Sequence, residues 1–192
     1  MGRSREFEES IVLEKAMELF WRQGYEKTSL SDLVAHMGIH RRSLYDTFGD
    51  KHSLFLKAID FFGAQIKEKL TADVSRCATA EEAIRCIFEY MIEGRADRPW
   101  GCLFVNAATE MAPHDEAVAE KTQAAFHQLE QLLAALIRRG QQAAEFTATY
   151  DAQVLAEHLH TTLLGIRVMV RNAADKEKLR RIAECSLAIL HD

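Results

Sequence analysis

The most constraining feature of this sequence lies at residues 28–51, where two short apolar patterns are separated by a glycine. Ser29 is followed three residues later by an aspartate, which is close to the capping-box spacing that opens a helix. Gly38 ends this first pattern, as glycine commonly does at a helix C-terminus. The second pattern places Leu44 and Phe48 on one helix face beneath a donor-rich polar face. Two short helices of this kind are typical of a helix-turn-helix that enters the DNA major groove.

The remainder of the chain predicts further helices, because apolar residues recur at three- and four-residue spacing and no stretch alternates as a strand does. We expect an all-α fold of about nine helices. A helix-turn-helix head at residues 1–50 would precede a helical bundle at residues 51–192, with the fourth helix linking the two. The predicted limits are helix 1 at about 6–23, helix 2 from Ser29 to Gly38, helix 3 at about 40–48, helix 4 from Asp50 to about Leu70, helix 5 from Thr79, helix 6 between Pro99 and Pro113, helix 7 from His114 to about Gln142, helix 8 from Asp151 and helix 9 from Asp175.

The composition favours a globular protein with a substantial core. Of 192 residues, 48% are hydrophobic and 28% are charged, which is not the composition of a disordered chain. No apolar run approaches the roughly 20 residues that span a membrane. The first residues also lack the apolar segment of a signal peptide. We expect a cytoplasmic protein with no membrane partner.

Net charge does not by itself favour DNA binding. The chain carries a net charge of −5, with −1 in residues 1–60 and −4 in residues 61–192. The positive charge that DNA requires would therefore be local, and helix N-termini would add to it. The candidate residues for this local charge are Arg41, Arg42, Lys51 and Lys57.

The first sixty residues resemble the TetR family of bacterial regulators. The resemblance covers residues 7 to about 60 and combines a helix-turn-helix with aromatic and basic residues at fixed offsets. The motifs that carry it are Gly-Tyr (24–25), Thr-Ser-Leu-Ser-Asp-Leu-Val (28–34), Gly-Ile (38–39), Ser-Leu-Tyr (43–45), Phe48 and Asp-Lys (50–51). The resemblance implies a homodimeric transcriptional regulator, most often a repressor. Its C-terminal bundle would bind a small molecule that releases a palindromic double-stranded operator.

The resemblance also implies roles for individual residues. Arg41 and Arg42 would contact base edges, because arginine donates two hydrogen bonds to guanine. Ser43 would contact a base or a phosphate. The remaining contacts would go to phosphates, which position the protein without specifying sequence. The full set of DNA-binding residues implied is Thr28, Ser29, His40, Arg41, Arg42, Ser43, Tyr45, Thr47 and Lys51.

Two positions depart from the commoner pattern of the family. His40 stands where Ser or Thr usually caps the recognition helix, and losing such a cap costs about 1 kcal/mol. Arg42 stands where glycine is frequent, which suggests that Arg42 makes a DNA contact of its own.

A candidate effector pocket centres on residues 100–110. Asn106 and Glu110 are four residues apart and share a helix face, and a few polar groups among apolar walls suit a small ligand. The alternative is that Asn106 and Glu110 cap or cross-link helix ends. The predicted pocket residues are Phe88, Met91, Trp100, Cys102, Phe104, Asn106, Glu110, Phe126, His158 and Thr162.

Cys102 supports a second hypothesis for release. The Gly-Cys-Leu turn resembles one subgroup of the family, in which some members sense oxidants or electrophiles through a cysteine. A thiol near a helix N-terminus has a lowered pKa and is therefore more reactive. The alternative is an inert thiol in the core, which is the usual state of a free cysteine.

The last two predicted helices are apolar on more than one stripe, so they would pack within the core or against a partner. The resemblance favours a four-helix dimer interface between two chains. The predicted interface residues are Leu159, Leu163, Ile166, Val170, Ile182, Leu187 and Leu190.

No metal, cofactor or enzymatic activity is expected. His36 and His40 are separated by a helix-breaking glycine, and His158 and His160 point to different sides of one helix. The sequence has no Gly-x-Ser-x-Gly, no His-Glu-x-x-His and no phosphate-binding glycine loop. The alternatives that stay open are an all-helical enzyme and a helical interaction module that does not bind DNA.

Overall fold

A computed structural model describes residues 2–94 and 101–192, and every regular element in those residues is helical. This confirms the prediction of an all-α fold. None of the described helices combines the length and the apolarity that crossing a lipid bilayer requires. The helices are α1 (Gly2–Gln23), α2 (Leu30–Met37), α3 (Arg41–Phe48), α4 (Lys51–Val74), α5 (Ala80–Glu93), α6 (Leu103–Glu110), α7 (Glu116–Gln142), α8 (Ala152–Arg171) and α9 (Lys176–Leu187), followed by one 3-10 turn (Ala188–Leu190).

Several helices are capped by the residues at which the sequence predicts that they start. The Ser29 side chain accepts a hydrogen bond from the third residue of α2, whose carboxylate accepts one from the Ser29 N–H. Thr79 forms the same reciprocal pair at the start of α5. Asp151 and Asp175 accept from first-turn amides of α8 and α9. Each cap satisfies N–H groups that have no partner within the helix.

The first compact unit contains the chain up to Ile66 together with Asn106–Thr122. Aromatic rings pack together in its core. The Phe20 and Phe55 ring centroids lie 5.0 Å apart in an edge-to-face arrangement, and Tyr25 lies 4.9 Å from Phe55. The unit therefore includes the first sixteen residues of α4, whereas the boundary drawn from the sequence stood before this helix.

The second compact unit contains Lys67–Val105 and Gln123–Asp192. Ion pairs join its helices at the surface, such as Arg180 of α9 with Glu89 of α5 at 2.6 Å. Exposed pairs of this kind contribute only about 0–1 kcal/mol each, so apolar burial has to provide most of the stability. The buried residues of α5 are Ala80, Ala83, Ile84, Ile87, Phe88, Met91 and Ile92.

Candidate nucleic-acid interface

The helix α3 separates a buried face from a polar face. Leu44 is 0% exposed and Phe48 is 3% exposed, so these two side chains anchor the helix in the first unit. Helix formation on this short segment depends on that burial, since eight residues do not form a stable isolated helix. The exposed residues of α3 are Arg41, Arg42, Ser43, Tyr45, Asp46 and Thr47.

The two arginines of α3 are available for contacts outside the chain. The Arg41 guanidinium carbon lies 5.9 Å from the Tyr45 ring centroid, at the outer limit of a cation–π contact. Arg42 Nε lies 3.6 Å from a carboxylate oxygen of Asp46, with the two side chains 93% and 66% exposed. An ion pair this exposed contributes little. The ion pair with Asp46 therefore leaves Arg42 able to contact a DNA base.

The turn before α3 requires glycine. Gly38 has φ of +72°, in the left-handed region that other residues rarely adopt. Its N–H donates to the carbonyl of Val34 at 3.1 Å, and the N–H of Ile39 donates to the same carbonyl at 3.3 Å. These bonds close the end of α2 and set the direction in which α3 begins.

The N-terminus of α4 holds a lysine against an aromatic ring. Lys51 Nζ lies 4.0 Å from the Tyr25 ring centroid, which is a close cation–π contact. Asp50 caps this helix, accepting a hydrogen bond at 2.7 Å from the N–H of Ser53. The hydrogen bonds from Ser53 lower the pKa of the Asp50 carboxyl. The ring contact therefore defines the position of the Lys51 ammonium, next to the capped N-terminus of α4.

Thr28 is predicted to contact DNA, but its side chain lies in the interior of the first unit. Its side chain is 0% exposed, its Oγ1 donates to the Gly24 carbonyl at 2.5 Å, and Gln23 Nε2 donates to the same Oγ1 at 3.2 Å. A hydroxyl buried in this way cannot reach a phosphate. Thr28 instead closes the turn between α1 and α2.

The other polar residues of the set lie at the surface. Ser29 is exposed, although its Oγ is already bonded to the Asp32 carboxylate at 2.6 Å. His40 is exposed and precedes α3 without a side-chain capping bond, as its sequence position predicted. Thr47 is exposed, and its carbonyl accepts a bond at 3.2 Å from Lys57 Nζ. Ser29, His40 and Thr47 thus stay candidates for DNA contact.

Family models match both parts of the chain. Residues 12–58 match the model described as bacterial regulatory proteins, tetR family. Residues 80–185, more than half of the chain, match the model described as tetracyclin repressor-like, C-terminal domain. The chain belongs to the TetR family. It is therefore a relative of DNA-binding transcriptional regulators.

Individual relatives of this TetR-family protein extend over nearly its whole length. The HTH-type transcriptional regulator YezE of Bacillus subtilis is 36% identical, covering 99% of this chain and 100% of the relative. The HTH-type transcriptional repressor ComR of Escherichia coli is 31% identical, covering 98% of this chain and 91% of the relative. A solved structure of a cysteine mutant of the TetR family regulator CifR, complexed with 26 bp operator DNA, superposes with a TM-score of 0.84. It is 28% identical and covers 94% of this chain and 95% of its own.

The residues predicted for an effector pocket do not form one group. Trp100 lies outside the described residues, and Asn106 and Glu110 lie in the first compact unit. His158 is exposed on α8, so it does not line an interior pocket of the single chain. The predicted residues that lie buried or half-buried in the second unit are Phe88, Met91, Cys102, Phe104, Phe126 and Thr162.

His160 is an interior polar residue that sequence reasoning did not select. It is 2% exposed, its Nδ1 lies 2.8 Å from a carboxylate oxygen of Glu130, and its ring centroid lies 5.6 Å from that of Phe126. Within the described residues, its buried Nε2 has no hydrogen-bond partner. A polar residue on the same helix stripe as Ala156 and Leu163 was the signal that could have found it.

The environment of Cys102 opposes its reactivity. Burial raises the pKa of the Cys102 thiol, while nearby Arg167 and the N–H groups of Phe104 and Val105 oppose this shift without reversing it. The favourable effect of a helix start is therefore present, as the sequence predicted, but it is smaller than the cost of burying a thiolate. At neutral pH the thiol form predominates.

The predicted dimer residues need correction. Leu159, Leu163, Ile166, Leu187 and Leu190 are all 4% exposed or less in the single chain, so their side chains pack within their own subunit. Val170 and Ile182 are half-buried and can still contact a partner. The exposed stripe of α8 consists of Val154, His158, Thr161, Gly165 and Val168, and that of α9 consists of Lys178, Arg181 and Cys185, followed by Ala188 of the 3-10 turn.

Proposed function

We propose that this protein is a homodimeric transcriptional repressor that binds a palindromic operator and is released by a small molecule bound in the second compact unit. The observation that carries the proposal is the polar face of α3. Arg41, Arg42, Ser43 and Tyr45 are exposed side by side on a helix that Leu44 and Phe48 hold in place. A relative named as a repressor and a CifR structure in complex with operator DNA support the same reading.

In the proposed complex, α3 lies in the major groove and its arginines select the sequence. Arg41 and Arg42 present guanidinium groups that can donate bidentately to guanine. Ser43, Tyr45 and Thr47 follow on the same short helix, where they can reach base or phosphate oxygens. Lys51 lies at the start of α4, beside backbone N–H groups that favour an anion. Sequence would be read by the arginines, and the remaining contacts would fix the register.

The proposed dimer uses the exposed stripes of α8 and α9. Val154 and Val168 are 55% and 53% exposed, which is high for large apolar side chains. Between them lies Gly165, where an added Cβ would meet nothing within 4 Å among the described residues. Spacings of four and three residues along the α8 stripe suit a partner helix packed nearly parallel or antiparallel. A two-fold dimer would place the two α3 helices about 34–36 Å apart on DNA.

The proposed effector site lies in the second unit. Phe88 and Phe126 provide aromatic surface, and the buried His160 provides a polar group that a ligand hydroxyl or acid can contact. Apolar walls with few polar groups are what small-molecule sites require. Release by oxidation of Cys102 is the less favoured mechanism, since burial raises the pKa of that thiol.

The proposal is tested by retention of genomic DNA fragments on purified protein at low and moderate salt, with and without the thiol oxidant diamide. We expect retention of a palindromic fragment, with binding that falls steeply as salt increases. Insensitivity to diamide would support a reversible small ligand. Loss with diamide that dithiothreitol reverses would favour the cysteine mechanism, and retention of no fragment at low salt would contradict DNA binding.

A further inference from the structure

The end of α6 is bonded to the turn between α1 and α2. The two Glu110 carboxylate oxygens accept separate hydrogen bonds, one from the N–H of Tyr25 at 3.0 Å and one from the N–H of Glu26 at 2.9 Å. One helical turn earlier, Asn106 Nδ2 donates to the carbonyl of Trp21 at 3.5 Å. All of these residues belong to the first compact unit. The shared face of Asn106 and Glu110 therefore contacts the backbone at the end of α1.

Gly24 makes room for this carboxylate. Its φ is +90°, and an added Cβ would lie 2.8 Å from one Glu110 oxygen and 2.9 Å from the other. Any side chain at position 24 would therefore displace Glu110 as well as strain the backbone. The turn is shaped both to end α1 and to receive a carboxylate.

The same turn carries the aromatic ring that holds Lys51. The Tyr25 ring lies against Phe55 at 4.9 Å between centroids, and Lys51 Nζ lies 4.0 Å from the Tyr25 centroid. A second connection runs beside it, where His52 Nε2 lies 2.6 Å from an Asp115 carboxylate oxygen. The end of α6 thus reaches the start of α4 through the Tyr25 turn, and the segment between α6 and α7 reaches it directly through Asp115.

We propose that Glu110 is a positioning residue for DNA binding: its carboxylate fixes the turn at Tyr25, and the Tyr25 ring fixes the Lys51 ammonium where a phosphate is bound. This rests on the proposed function. A shift of α6 that withdraws Glu110 frees the turn and lowers operator affinity. The side chains of Glu110 and Tyr25 would thus link the phosphate site to α6 without touching DNA or the effector.

The proposal predicts the opposite sign from simple electrostatics. Glu110 is an acidic residue in the DNA-binding unit, so removing its charge without any positioning effect would strengthen attraction to the DNA polyanion. Loss of positioning weakens binding instead. The direction of the change in Kd therefore separates the two explanations.

The test uses the full-length protein and the duplex retained in the fragment selection, with Kd measured across a salt series. Glu110→Ala should weaken binding by about fivefold or more, a usual size for coupling between sites, and reduce the salt slope by about one, as removal of one phosphate contact does. Glu120→Ala, which removes an exposed carboxylate on α7 of the same unit, is the matched control and should leave both quantities nearly unchanged. In a Lys51→Ala background, Glu110→Ala should change Kd by less than about twofold, because coupled residues are not additive.

Hydrogen exchange supplies a readout that needs no DNA. The amides of Tyr25 and Glu26 should exchange faster in Glu110→Ala than in the wild type, while the amide of Gly38 should not change. Glu110→Gln, which keeps one acceptor oxygen, should fall between the two and serves if the alanine variant does not fold. Unchanged or tighter operator binding in Glu110→Ala, or an equal loss with and without Lys51, would overturn the proposal. Failure of the wild type to bind any duplex would instead overturn the proposed function.

Discussion

The turn of the helix-turn-helix in the first unit and the buried polar side chains of the second unit differ in how far apart in sequence their contacts lie. Helix α2 and the turn before α3 are shaped by contacts within about four residues, such as the Ser29 cap and the Gly38 turn. The buried polar side chains of the second unit make distant contacts. The Arg167 guanidinium donates to the carbonyl of Met91 at 2.6 Å, and His160 pairs with Glu130 thirty residues away. Roles set by local contacts can be read from sequence patterns, whereas roles set by distant packing cannot.

The same contrast exists inside the first unit. The contacts that shape the turn before α3 are local in sequence, whereas Glu110 at the end of α6 binds a turn 85 residues earlier in the chain. A regulator requires both kinds of contact. Local contacts shape the exposed surface of α3, and the distant Glu110 contact is the route by which, in our proposal, another part of the chain changes DNA binding.

The largest expected effect concerns the inner and outer faces of α8. Leu163→Glu buries a carboxylate at a position that is 1% exposed, and it should lower the free energy of unfolding by at least about 3 kcal/mol. Val168→Glu, at a position that is 53% exposed, should leave the subunit folded but separate the dimer. Urea unfolding and light scattering measure the two effects. A folded Leu163→Glu variant, or a Val168→Glu variant that stays dimeric, would refute this assignment of faces.

Loss of a base contact in Arg42→Ala should have the next largest effect. Arg42→Ala should cost roughly 1–3 kcal/mol on the selected operator and relax the preference at one base pair. The side chain is 93% exposed, so folding should be unaffected. Selection of binding sites from randomised duplexes measures the preference, and Arg138→Ala on the exposed surface of α7 is the control. An unchanged preference would remove Arg42 from the base-contacting set.

Thr28→Val tests whether the Thr28 hydroxyl stabilises the fold instead of contacting DNA. The isosteric change leaves the Gly24 carbonyl and the Gln23 amide without their bonds to the threonine hydroxyl. Loss of a buried hydrogen bond should destabilise folding by about 1–2 kcal/mol. Thermal unfolding measures this loss. The salt slope of operator binding should stay the same, and a slope reduced by about one would return Thr28 to the phosphate contacts.

Lys51→Ala should have a smaller and non-specific effect. It should weaken operator and scrambled duplexes alike and reduce the slope of log K against log salt by about one. The matched control is Lys67→Ala, which removes an exposed lysine farther along the same helix α4. Discrimination between duplexes that falls along with affinity would mean that Lys51 also contributes to base reading.

The smallest expected effect is a pH dependence at the α2 cap. Hydrogen bonds from the Ser29 side chain and N–H lower the pKa of the Asp32 carboxyl. The stabilisation is therefore present above the unfolded pKa, near 3.9, and disappears as pH falls through the lower folded value. The difference in unfolding midpoint between the wild type and Asp32→Asn should therefore shrink as the pH is lowered below about 4. A difference that stays constant on acidification would show that the carboxylate does not stabilise the cap.

Particular residues show what the sequence could predict. The predicted helix starts at Ser29, Thr79, Asp151 and Asp175 are confirmed, because a capping side chain and the amide it accepts from lie within three residues. In contrast, α8 carries apolar residues on both faces, and the large leucines chosen for the dimer belong to the core. The exposed stripe around Gly165 gives only a weak hydrophobic signal, because His158, Thr161 and Gly165 separate its two valines. Periodicity identifies a helix and its stripes, but only the fold decides which stripe is buried.

The α3 face is tested most directly by an anisotropy titration of the retained palindromic duplex and of a scrambled duplex of equal length, at near-physiological salt. We predict that two chains bind each palindrome, at least about a thousandfold more tightly than the scrambled duplex. The Arg41→Ala/Arg42→Ala double variant should lose most of this ratio. Equal affinity of the wild type for both duplexes would contradict sequence-specific DNA recognition by α3.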